Sequence, residues 1–162
     1  MAQTRRMTLN INGQARHCDV PANETLLETL RGLGHFEVKS GCEKGDCGAC
    51  AVLVGGEALD ACLTLTWTVG ERPVTTAAGL GTPERPHPLQ RAFTARGAVQ
   101  CGYCTPGLLI AAQGLLAEDP DPDEAAIRRA LSGNLCRCTG YTKVFEAVAE
   151  AAAELRAAGG RR

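Results

Sequence analysis

Eight of the nine cysteines stand in two groups of four, and no other feature restricts this chain so strongly. The first group runs Cys42-x4-Cys47-x2-Cys50 and reaches Cys62 after eleven further residues. The second is Cys101-x2-Cys104, then a gap of 31 residues, then Cys136-x-Cys138. Neither has the spacing of a disulfide scaffold, and the odd total leaves Cys18 outside both. Four thiolates serve a [2Fe–2S] cluster, two on each iron, or a single tetrahedral zinc ion. Three of them within nine positions demand a tightly folded loop. Gly41, Gly45 and Gly48 are expected to provide it by reaching positive φ without a Cβ penalty.

The first spacing is that of plant-type ferredoxins, whose fourth ligand arrives later in the chain. It favours a [2Fe–2S] cluster over zinc, and Cys62 is expected to close the site from a small sheet. The second set, C-x2-C…C-x-C, admits zinc as well as a cluster when taken alone. Its pairs sit just before helical patterns, where a helix N-terminus favours thiolates and an anionic centre. A thioredoxin-like reading of Cys47-x2-Cys50 or Cys101-x2-Cys104 fails, because each has further cysteines at ligand spacing. His17, His35 and His87 stand apart from the cysteines and read as structural or solvated, Cys18 as a small buried hydrophobe, and Trp67 as core.

A chain of 162 residues holds one domain or two small ones. With 44% hydrophobic residues but only 4% aromatic ones, its cores would be thin, and two metal centres would staple them. A net charge of −1 leaves no basic footprint for nucleic acid. No apolar run approaches the ~20 residues of a membrane span, and no signal-peptide pattern follows Arg5-Arg6. The expected compartment is the cytoplasm, where thiols stay reduced and bind metal.

Met7, Leu9 and Ile11 alternate with polar residues as in a half-buried strand, and Asn12-Gly13 is a two-residue hairpin signal returning through Ala15–Val20. Asn23 is expected to cap a helix carrying Leu26, Leu27 and Leu30 and ended by Gly32. Ala51–Val54 reads as a strand turned back by Gly55-Gly56, and Leu63, Leu65, Trp67 and Val69 alternate as another. From about residue 80 the pattern becomes helical, after a Gly/Pro stretch. Four helices are expected. The first starts at Pro88; the second is capped by Thr105, with Leu108, Leu109, Ala112, Leu115 and Leu116 on one face. The third starts after Asp121-Pro122 and ends at Gly133, and the fourth is capped by Thr142; the tail 159–162 reads as disordered.

The segments Gln100-Cys101-Gly102-Tyr103-Cys104-Thr105-Pro106-Gly107 and Gly133-Asn134-Leu135-Cys136-Arg137-Cys138-Thr139-Gly140-Tyr141, with the loop Cys42–Cys50, closely resemble the iron–sulfur small subunit of the xanthine oxidase family of molybdenum hydroxylases. The resemblance runs from Met7 to about Leu155 and favours a cluster at the second site too. It implies an α+β chain: an N-terminal β-grasp, plant-type ferredoxin domain over residues 1–80, then an all-α four-helix domain over 81–162. It implies two [2Fe–2S] clusters, one held by Cys42, Cys47, Cys50 and Cys62, the other by Cys101, Cys104, Cys136 and Cys138. It further implies a large partner subunit with the molybdopterin cofactor, approached by Gln100 and Cys138, and usually a medium subunit with FAD. Ser40 is one departure, standing where relatives often carry an acidic residue or Gln.

The chain shows no dinucleotide-binding glycine fingerprint and no substrate constellation of its own. The expected role is a relay that passes electrons singly from molybdenum to FAD or another acceptor, without catalysis by this chain alone. Two alternatives stand beside it: a free-standing ferredoxin, against which the helical part argues, and a zinc-stabilised interaction module.

Overall fold

A computed structural model describes residues 3–159. The first strand, β1 (Thr4–Ile11), buries Met7, Leu9 and Ile11 and exposes the residues between them. Asn12 (φ 53°) and Gly13 (φ 79°) both adopt left-handed conformations, and β2 (Gln14–Pro21) returns antiparallel with Ile11 opposite Gln14. Two positive φ values match the twist of the flanking strands, so an Asn-Gly pair suits the turn. Strands β3 (Ala51–Val54), β4 (Glu57–Asp60) and β5 (Val74–Thr75) complete a mixed sheet in the order β2-β1-β5-β3-β4, with β1 and β5 parallel.

Helix α1 (Leu26–Gly32) buries Leu26, Leu27 and Leu30 in the core that covers this sheet. Its cap is Thr25 rather than Asn23. The Thr25 hydroxyl accepts from the Glu28 amide and the Glu28 carboxylate accepts from the Thr25 amide, a reciprocal box that Asn23 cannot form with this helix. The expected strand over 63–69 is absent. Residues Thr66–Thr68 form a 3-10 turn in which Thr66 and Val69 are buried, while Leu63 and Leu65 point outward. Trp67 lies partly buried against the N-terminal core and donates its indole N–H to the Val20 carbonyl at 3.0 Å. Cys18 is half-buried against the same core rather than enclosed by it.

Four helices follow, as expected: α2 (Pro88–Ala95), α3 (Thr105–Glu118), α4 (Glu124–Leu131) and α5 (Thr142–Gly159). Thr105 is the first residue of α3 and not its cap; that position falls to Cys104, and the Thr105 hydroxyl is buried without a hydrogen-bond partner. Helix α3 is apolar on more than the single face expected, because it lies at the centre. It packs on β3 and β4 on one side and on α2 and α4 on the other, and buries Ile110 as well as Leu108, Leu109, Ala112 and Leu116. His87 caps α2, while Asp123 caps α4. The small residues Ala147, Ala151 and Ala152 let α2 approach α5, and exposed pairs Arg91–Glu154 and Arg96–Glu150 flank that contact. The tail residues 160–162 lie outside the described residues.

Two hydrophobic clusters result. One joins the sheet residues Leu9, Ile11, Val52 and Val74 to α1; the other joins Phe93, Leu108, Ile127 and Val148 across the four helices. Leu53 of β3 belongs to the second, so the sheet and the helical part share a packed seam.

Candidate iron–sulfur sites

The first cysteine loop follows α1 and has no regular structure between residues 41 and 50. Its curvature comes from Glu43 (φ 56°), Gly45 (φ 79°) and Gly48 (φ 65°). Gly41 contributes differently from expected. Its φ is not positive, but an added Cβ would sit 2.8 Å from the Cys47 sulfur, so glycine here leaves room for the thiol. The loop brings Cys42 beside Cys47, while Cys50 meets Cys62, which lies buried just past β4. A carboxylate that the sequence reading passed over, Asp60 at the end of β4, stands 3.7 Å from the Cys50 sulfur.

The second set gathers at the helix ends. Cys104 caps α3, and the loop between α4 and α5 carries Cys136 and Cys138. Cys101 and Cys138 face each other at 3.7 Å and are both exposed; Cys104 contacts Cys136 beneath them. Gln100 is exposed beside Cys101. Gly140 (φ 65°) and Tyr141 (φ 67°) turn the loop back on itself. The Tyr141 hydroxyl consequently donates to the Asn134 carbonyl at 2.9 Å and accepts from the Cys136 amide at 2.6 Å. Thr139 donates to the Cys136 sulfur twice, from its amide at 3.5 Å and from its hydroxyl at 3.1 Å.

The thiols differ in acidity within each set. The Lys44 amide, followed by contact with Cys47, lowers Cys42 to about 7. Burial pushes Cys50 and Cys104 up to about 12. Burial also works against ionisation of Cys136, but the Thr139 hydroxyl and amide, together with the Cys104 thiol and the Cys138 amide, outweigh it and bring that thiol to about 7. Each set thus combines one readily ionised thiol with a buried one that a bound cation must deprotonate.

The eight sulfurs therefore form four close pairs, two in each set. Among the described residues, no three or more His, Cys, Asp or Glu side chains are gathered so as to hold one metal ion. Paired thiols fit a binuclear cluster, which takes two thiolates per iron, better than a tetrahedral ion that needs four around one point. The two loops also touch. The Leu135 amide donates to the Cys47 carbonyl at 2.9 Å, the buried Asn134 side chain donates to the Gly48 carbonyl at 2.9 Å, and the Tyr103 hydroxyl donates to the Ser40 carbonyl at 2.6 Å. The sequence signalled none of these seam contacts, although Asn134 and Tyr103 lie inside the motifs it displayed.

Comparison with known proteins agrees with this arrangement. Residues 9–72 match the family described as 2Fe-2S iron-sulfur cluster binding domain, and residues 76–149 match the [2Fe-2S] binding domain. The chain is 45% identical over 143 residues to the nicotinate dehydrogenase small FeS subunit of Eubacterium barkeri, covering 88% of this chain and 91% of that one. Its structure is similar to a chain of quinoline 2-oxidoreductase from Pseudomonas putida 86, with a TM-score of 0.91 and 39% identity over 98% and 99% of the two chains. It also matches the aldehyde oxidoreductase from Desulfovibrio desulfuricans ATCC 27774, with a TM-score of 0.90 and 42% identity, but spans only 17% of that longer chain. With both halves matched and such identity to a small FeS subunit along most of its length, the chain belongs to the iron–sulfur small subunits of the xanthine oxidase family of molybdenum hydroxylases, and its role is electron transfer through [2Fe–2S] clusters.

Proposed function

We propose that Cys42, Cys47, Cys50 and Cys62 hold one [2Fe–2S] cluster and Cys101, Cys104, Cys136 and Cys138 the other. The observation that carries this reading is the sorting of eight sulfurs into two sets of two pairs. The clusters supply one-electron redox chemistry; the chain supplies their placement. Between Cys47 and Cys136 the route is covalent except for one hydrogen bond, from the Leu135 amide to the Cys47 carbonyl, which suits a relay. The division into a ferredoxin-like unit over 1–80 and a helical unit over 81–162 is part of the same reading, supported by the two hydrophobic clusters.

The exposed pair Cys101 and Cys138 marks the side on which electrons enter. Val99, Tyr103 and Leu135, each within three residues of one of these cysteines in the chain, are 39%, 47% and 58% exposed, apolar surface suited to burial by a partner. That partner is a large subunit with the molybdopterin cofactor, which Gln100 and Cys138 approach. Electrons then leave the first site singly, to FAD on a medium subunit or to another acceptor. This chain takes part in the oxidoreductase without binding substrate. Among the described residues no helix is long and apolar enough to cross a membrane, and the proposed compartment is the cytoplasm.

The test is to express the chain alone and with a molybdopterin-subunit gene. About four irons per chain and two distinct reduced EPR signals are expected, with substrate turnover only in the assembled complex. Cys47→Ser should alter one signal and Cys104→Ser the other. Stoichiometric zinc, or both variants disturbing the same signal, would overturn the assignment.

A further inference from the structure

The second site contains a side-chain donor aimed at a ligand sulfur. The Thr139 hydroxyl lies 3.1 Å from the Cys136 sulfur, and the Tyr141 amide donates to that same hydroxyl oxygen at 3.2 Å. A hydroxyl has one proton to give and two lone pairs to receive. With one lone pair occupied by the Tyr141 amide, its proton is directed at the sulfur. The Tyr141 amide is in turn fixed by the left-handed pair Gly140–Tyr141 and by the Tyr141 phenol, which is anchored on Asn134 and Cys136. Cys136 and Thr139 are both half-buried. The Cys136 amide is committed to the Tyr141 phenol and makes no contribution to a sulfur. At the first site, the sulfur of Cys42 receives backbone amides, chiefly that of Lys44 at 3.4 Å, and the Cys47 thiol, but no hydroxyl.

We propose that the Thr139 hydroxyl sets the reduction potential of the second cluster, by donating a hydrogen bond to the Cys136 sulfur that strengthens when the site gains an electron. The inference rests on the ligand assignment above. One electron arrives and negative charge on the sulfur grows; no bond breaks, and the proton stays on the Thr139 oxygen. Hydrogen bonds to charged acceptors are stronger than those to neutral ones, so the donor favours the reduced form and raises the potential. Thr139 is a positioning residue that acts through Cys136, and Tyr141 holds it in register.

The test is an EPR-monitored redox titration of the full chain co-purified with its partner, comparing wild type with Thr139→Val, Thr139→Ala and Thr139→Ser. The wild type must first show two cluster signals; without them the ligand assignment itself fails. Given both signals, Val and Ala should lower the equilibrium constant for reducing the second cluster by roughly threefold to tenfold, tenfold being about 59 mV for one electron. Ser should restore it, and the first cluster should not move. Two intact signals with unchanged potentials in Val and Ala would overturn the proposal alone. Loss of the second signal in both, with Ser retaining it, would also overturn it, because the hydroxyl would then retain the cluster rather than tune it.

Discussion

Gly107, in the first turn of α3, is where the helical part touches the first cysteine loop, and enlarging it tests how tightly the two sites are joined. An added Cβ would lie 2.3 Å from the Gly48 carbonyl oxygen and 3.2 Å from the Ala49 Cα, both backbone atoms that cannot rotate away. Gly114 is an internal control in the same helix: its added Cβ would meet the Ala58 methyl at 3.3 Å and Leu53 at 3.9 Å. Both substitutions to Ala gain about 1 kcal/mol of helix propensity. At Gly107, crowding costs about 1–3 kcal/mol, and relief requires α3 to move away from the loop that carries Cys47 and Cys50. The difference between the variants is therefore about 1–3 kcal/mol, or roughly 5- to 150-fold in a rate that depends on opening this seam. The assay is bleaching of visible cluster absorbance at a fixed elevated temperature. Gly107→Ala should lose colour faster than wild type, and Gly114→Ala no faster. Equal bleaching of the two variants would refute the claim that the seam holds the sites together.

Other outcomes follow from the site geometry. In the iron-free chain, iodoacetamide near neutral pH should modify Cys42 and Cys136 before Cys50 and Cys104, read by peptide mapping. For the first two, the thiolate fraction and the rate rise as pH passes through about 7, whereas the thiols near 12 respond only in strong alkali; equal labelling at pH 7 would contradict the described environments. Asp60→Asn removes a negative charge near the Cys50 sulfur and should raise the potential of the first cluster in a redox titration, leaving the second in place. An unmoved first potential would show that the carboxylate is screened. Gln100→Ala should keep both EPR signals yet slow cluster reduction by substrate in stopped-flow experiments on the assembled enzyme; an unchanged rate would count against contact with the pterin.

The clustering of cysteines was legible where their spacing is short, as in Cys42–Cys50, Cys101–Cys104 and Cys136–Cys138, and the helices because their apolar residues repeat at helical intervals. The segment 63–69 was misread for a physical reason. Leu63, Leu65, Trp67 and Val69 imitate a period of two, but the buried positions are Thr66 and Val69, three apart, as a 3-10 turn requires. Two caps were also misplaced: Asn23 and Thr105 are good cap residues by type, yet at α1 it is the Thr25 side chain that meets the free amides, and α3 starts one residue earlier in the chain than expected, with Cys104 at its N-cap position and no side-chain cap. The direction of the Thr139 hydroxyl was hidden because it depends on two consecutive left-handed residues, one of them not glycine. Contacts such as Asn134 with Gly48, 86 residues apart, leave no periodic trace in a single sequence.

That separation governs how the protein is made. The carbonyl of Gly48 waits for a donor 86 residues further along, and the neighbouring carbonyl of Cys47 waits for Leu135. During synthesis from the N-terminus, the sheet and all four thiols of the first site emerge long before these partners. Until then the loop's carbonyls can turn only to water, and the wall that Asn134 and Gly107 build against Gly48 is missing. The N-terminal half is therefore not a module that can be excised intact: a chain stopped before residue 134 would expose the backbone between Cys47 and Cys50. If Cys42, Cys47, Cys50 and Cys62 hold the first cluster, its ligands are translated well before the residues that cover their loop.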